Sequence, residues 1–104
     1  MSWNLSITIS QLDDRTFVAV AGEIDAATAP ELHTVLDQYG RQSVMVDLNK
    51  VTFIDSCGLG TLIRAQDRIT LAGGQLALRG LRPNVQKVFE ITGMCDRFDD
   101  PLSP

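Results

Sequence analysis

Three times along this 104-residue chain a short apolar run breaks at a polar turn and gives way to a segment of helical periodicity. The runs are Thr16–Ala21, then Val44–Leu48 with Phe53-Ile54 behind it, then Gln75–Leu78. Strands joined through a helix pair in parallel, and the crossover is right-handed. Ahead of them, Trp3, Leu5, Ile7 and Ile9 alternate with polar residues, which reads as a half-buried strand. A turn over Gln11–Arg15 would join that strand to Thr16–Ala21 as a hairpin. Thr16–Ala21 is apolar at every other position and in between, as a strand covered on both faces would be. The order β-β-α-β-α-β-α predicts an α/β fold: one domain with a mixed, mostly parallel sheet of four to five strands flanked by helices. We expect the domain to occupy residues 1–98 and residues 99–104, Asp-Asp-Pro-Leu-Ser-Pro, to form a flexible tail.

The helix boundaries follow from local chemistry. Thr28 and Glu31 have capping-box spacing, with Pro30 in the first turn. Leu32, Val35, Leu36 and Tyr39 then mark one face, and Gly40 is the expected stop. The second helix is expected to start with Ser56 as its cap. Leu59, Leu62, Ile63, Ile69 and Ala72 lie on one side, with Thr61, Arg64 and Arg68 opposite. Gln66 falls inside the apolar stripe without a sequence-level reason. Gly73-Gly74 closes this helix. The last one opens at Arg82-Pro83-Asn84, turns Val85, Val88 and Phe89 inward, and stops at Gly93.

Composition excludes several function classes. A net charge of −4 argues against a nucleic-acid binder, which needs a basic face. Arg64 and Arg68 offer only a small local basic patch. No apolar run is long enough for a membrane span, and Met1–Asn4 does not begin a signal peptide, so the cytoplasm is expected. Two distant cysteines, Cys57 and Cys95, do not make a disulfide framework. With a single histidine, His33, they do not make zinc-ligand spacing either, so neither metal nor cofactor is expected.

The residues that carry chemistry cluster at Phe53–Gly60. A serine at a helix N-terminus presents its hydroxyl where backbone amides favour negative charge, so Ser56 is a candidate phosphorylation switch; plain helix capping is the alternative. Asp25 and Asp55 both end strands and are expected at one sheet edge, where carboxylates near a hydroxyl suit phosphorylation by an ATP- and magnesium-using partner. Gly58-Leu59-Gly60 lacks the lysine of a P-loop and the third glycine of a dinucleotide fingerprint. Close backbone approach explains Gly58 and Gly60 better. Ile54 stands where a nucleophile elbow needs glycine, and His33 reads as a surface residue on the flank of its helix, so no Ser-His-Asp hydrolase is expected. Cys57, just inside the helix start, would be a reactive thiol if exposed.

Asp55-Ser56-Cys57-Gly58-Leu59-Gly60 resembles the Asp-Ser-Ser-Gly-Leu-Gly signature of STAS domains, in particular bacterial anti-sigma-factor antagonists. Gly22-Glu23-Ile24-Asp25, Thr28–Leu32, Val46-Asp47-Leu48, Gly73–Leu76 and Val88–Gly93 resemble the same family. The resemblance implies a non-enzymatic partner switch. The unphosphorylated antagonist binds an anti-sigma factor and frees a sigma factor. The anti-sigma factor, often a serine kinase, phosphorylates the serine matching Ser56, and a phosphatase reverses this. Asp25 matches the acidic residue near that hydroxyl. The implied docking surface comprises Asp25 to Thr28, then Asp55, Ser56, Cys57, Gly58 and Gly60, with Thr61 and Arg64 on the outer side. A monomer or weak dimer is expected. The family commonly has a second serine where Cys57 stands, so oxidation of Cys57, including a disulfide with Cys95, is a further expectation. The rival readings are a STAS subunit of a transporter or stress-signalling complex, and a small nucleotide- or ligand-binding domain.

Overall fold

The computed structural model describes residues 4–40 and 42–98, and of Cys95 the backbone alone. The tail expected at 99–104 lies outside the described residues. The elements are β1 (Leu5–Leu12), β2 (Arg15–Ile24), α1 (Ala29–Leu36), β3 (Ser43–Ile54), α2 (Ser56–Leu71), β4 (Gln75–Arg79), α3 (Pro83–Ile91) and a closing 3-10 turn, η1 (Cys95–Phe98). The seven main elements come in the expected order; η1 adds a short turn that the sequence did not announce. The sheet has four strands in the order β1-β2-β3-β4. β1 pairs antiparallel with β2, and β2–β3 and β3–β4 are parallel.

The hairpin is tighter than the expected five-residue turn. Leu12 still pairs with Arg15, and Asp13 takes φ of 56°, a left-handed conformation that Asp tolerates. Near the other end of this pair Gly22, at φ 114°, lets β1 close in: a Cβ there would stand 1.9 Å from the Asn4 carbonyl oxygen. β3 runs unbroken through both of its apolar runs. It carries extra residues opposite Ala19/Ala21 and Gly22/Glu23 of β2, bulges that bend it and re-aim its C-terminal end. Phe53, read as part of a buried strand end, is 44% exposed for this reason.

Helix residues Leu32, Leu36, Leu59, Leu62, Ile69, Val85 and Phe89 form one core with Val18, Val20, Val44, Val46, Leu76 and Leu78 of the strands. Phe17, Ala19 and Ala21, at the alternate positions of β2, are not part of it. β2 is therefore packed by helices on one face. On the other, Arg15 and Arg79 lie over the Phe17 ring at 5.8 and 5.3 Å. No helix among the described residues is long and apolar enough to cross a membrane.

Two helix ends depart from expectation. α1 stops at Leu36, four residues before Gly40, with Asp37 at its C-cap. Arg68 of α2 reaches across to donate to the carbonyls of Leu36 and Tyr39 and pairs with Asp37, fixing the end there. Gln66 is no violation: its amide donates to the Leu76 carbonyl at 3.2 Å and to Arg97, tying α2 to β4 and η1.

Candidate functional site

Parallel pairing of β2 with β3 aligns Ile24 with Ile54, so the turns that follow both strands emerge at the same sheet edge. Asp25 and Asp55 lie there together, as expected. The Asp55 amide donates to the Ile24 carbonyl at 3.2 Å. A Cβ on Gly58 would meet the Ile24 carbonyl oxygen and side chain at 2.6 Å, so only glycine lets α2 start this close to β2.

The cap of α2 is Asp55, not Ser56. Its Oδ1 accepts from the amides of Cys57 (2.9 Å) and Gly58 (3.0 Å). Both residues are good caps, and sequence alone does not order them. The shift by one residue changes the reading of Ser56. It becomes the first helical residue, it is exposed, and its hydroxyl takes no hydrogen bond from the described residues. A hydroxyl with no structural task is open to a partner.

The β2–α1 turn is built around Thr28 and Asp25. Thr28 is the N-cap residue of α1, but its side chain makes no capping bond and the capping box with Glu31 does not form. Instead Thr28 Oγ1 donates to the Glu23 carbonyl at 2.7 Å and accepts from the Asp25 amide at 2.9 Å. Asp25 Oδ1 in turn accepts from the amides of Ala27 and Thr28, both at 3.0 Å. Thr28 is buried, so it holds the loop that a partner would meet.

Between α1 and α2 lies a groove of about 570 Å³. Ala26, Pro30 and His33 line it on one side, and Ser56, Cys57, Thr61 and Arg64 on the other. Thr61 does not lie on an outer face. It is buried, because α1 packs on that flank of α2, and its hydroxyl donates to the Cys57 carbonyl at 3.1 Å. Arg64 is exposed and donates to Thr61 Oγ1 at 3.4 Å. Arg68, expected beside it as a basic patch, is engaged at the end of α1 instead.

The structure thus gathers Asp25, Thr28, Asp55, Ser56, Cys57, Gly58, Gly60, Thr61 and Arg64 around the first turns of α2. Cys57 is a free, exposed thiol; the Cys95 side chain lies outside the described residues. The backbone of η1 is anchored at Gln66, nine residues and roughly 13 Å along the helix from Cys57. His33 joins the site unannounced. Its spacing from Pro30, one helical turn, was the available signal, but the sequence did not show that α2 packs alongside.

A profile of the STAS domain matches residues 6–104. The anti-sigma-B factor antagonist of Listeria monocytogenes is 38% identical over 97 residues, covering 89% of this chain and 85% of that protein. The anti-sigma-B factor antagonist of Staphylococcus aureus is 34% identical over 96 residues, 89% of each. Among solved structures, an anti-sigma factor antagonist from Mycobacterium paratuberculosis superposes with a TM-score of 0.78 at 27% identity, over 96% of this chain and 86% of that one. The chain belongs to the STAS domain family.

Proposed function

We propose that this chain is an anti-sigma-factor antagonist. In its unphosphorylated form it binds an anti-sigma factor and so releases a sigma factor; phosphorylation of Ser56 ends that binding. The observation that carries the reading is the Ser56 hydroxyl, exposed and bonded to none of the described residues at the start of α2 because Asp55 does the capping. The curated relatives, named as anti-sigma-B factor antagonists, support the partner class. The docking surface is the Asp25–Thr28 turn together with the first turns of α2. Phe53, exposed at the adjacent strand end, adds an apolar contact.

The chain acts in the cytoplasm as a binding protein and not as an enzyme. The anti-sigma factor supplies the kinase, and a separate phosphatase resets the switch. A phosphate adds about −1.5 to −2 charge at neutral pH. Set within a docking surface beside Asp25 and Asp55, a penalty of about 1–3 kcal/mol changes affinity about 5- to 150-fold, enough to exchange partners without refolding. The redox reading stands on the same surface. A Cys57–Cys95 disulfide is expected to block docking, and two free thiols after mild oxidation overturn it.

The test is capture of an anti-sigma kinase from extract of the native cell by wild type, Ser56→Ala and Ser56→Asp. Wild type and Ala are expected to retain it and Asp to lose it. Equal capture by all three overturns the switch and leaves a STAS subunit of a larger assembly.

A further inference from the structure

The phosphate of the proposed switch needs a place to lie, and two of the amides at the helix start are already taken. Asp55 already holds those of Cys57 and Gly58, and its own charge repels an anion at the next residue. Asp25 stands at the same edge, likewise turned onto backbone amides. A direction open to a dianion on Ser56, away from both carboxylates' amide partners, is the groove between α1 and α2, which Ser56 itself lines. Among the described residues that groove is lined by no carboxylate, and it carries two side chains with N–H donors, His33 and Arg64.

Arg64 is placed to meet the phosphate. Its side chain doubles back toward the helix N-terminus, the direction long helical side chains favour. The guanidinium lies over Gly60, 3.1 Å from where a Cβ would stand. Gly60 is one turn from Ser56, about 6 Å along the axis. Arg68, Arg79 and Arg97 pair with Asp37, Asp47 and Asp67; among the described residues no carboxylate pairs with Arg64 or His33. A guanidinium has five N–H donors, of which the long bond to Thr61 takes one. An imidazole offers at least one in either protonation state.

We infer that this groove is the seat of the Ser56 phosphate, with Arg64 and His33 as its ligands. The inference rests on the Ser56 reading above. Phosphorylation then acts twice: it adds charge to the docking surface, and it fills the groove and withdraws Arg64 from any partner.

The experiment places phosphoserine at position 56 during synthesis, so that no cellular kinase is needed, and follows the phosphate by phosphorus-31 NMR through a pH titration. The charged and titratable groups near it are Asp55 and Asp25 at the strand ends and Arg64 and His33 on the helices, with the Cys57 thiol adjacent. Glu31 does not line the groove; its position lies about 200° around α1 from His33. Nearby cations favour the dianion and lower its titration midpoint, which is about 6 for a free phosphoserine. Arg64→Gln is expected to raise the midpoint by about half a unit or more, Arg64→Lys by less, and His33→Gln by a smaller amount. Midpoints that agree within about 0.1 unit across wild type and all three variants overturn the seat. Failure of the Ser56 switch looks different: the phosphoserine protein would still bind the anti-sigma factor, whatever its phosphate titrates at.

Discussion

One turn of α2 separates Arg64 from Arg68, yet the two arginines live in different surroundings. Among the described residues Arg64 reaches only a threonine hydroxyl, and it faces an open groove. Arg68 closes the end of α1 through two carbonyls and an ion pair. Neighbouring residues repeat the contrast. Ser56 and Cys57, at the helix start, engage no described residue through their side chains. Gln66 and Asp67, further along, are tied to β4 and η1. One half of the helix fastens the domain together through its polar side chains; the other is held by Leu59 and Leu62 in the core and by the close approach at Gly58, so that Ser56, Cys57 and Arg64 stay available. A surface that must exchange partners needs rigid positioning and free chemistry at once, and here one helix supplies both.

Substitutions along α2 can break that division. The largest effect is expected from Gly58→Ala, whose methyl would collide with the Ile24 backbone; urea unfolding should show a loss of about 2–3 kcal/mol, and a loss under about 0.5 would contradict the close approach. Next comes the arginine pair. Arg68→Ala should cost about 1–2 kcal/mol, discounted because the side chain is 37% exposed. Arg64→Ala should cost less than about 0.5 kcal/mol in the same assay. Equal losses would erase the contrast. A third comparison sets Asp55→Ala, expected to lose about 1 kcal/mol as a true cap, against Ser56→Ala, expected to be neutral in thermal melts. The reverse ranking would return the cap to Ser56. Smallest of all, Cys57→Ser should leave both stability and, under reducing conditions, partner capture unchanged, since the thiol is exposed and free.

Much of this was legible beforehand because periodicity reports burial. The element order, the mixed sheet and the shared edge of Asp25 and Asp55 follow from apolar spacing and from the handedness of crossovers. What stayed hidden depends on contacts between elements. Arg68 ends α1 from another helix, Thr61 is covered by α1, and Gln66 sits in an apolar stripe because β4 and η1 present carbonyls to it. The Asp55–Ser56 ambiguity is of another kind. Two adjacent residues of equal capping preference are separated only by the backbone, which at Asp55 is extended with φ −114°. The bulges of β3 were equally unannounced: its two apolar runs look like separate pieces until pairing with β2 joins them.

The parallel register also settles what lies farthest from Ser56. The β1–β2 turn and the links from α1 to β3 and from α2 to β4 all emerge at the opposite edge of the sheet. Gly73, in the link from α2 to β4, is open, with nothing within 4 Å of a Cβ built on it. That makes the 73–74 link a natural splice point. A fluorescent domain inserted there would ride on the molecule without touching its docking edge, and it would turn each partner exchange into a signal readable in a living cell.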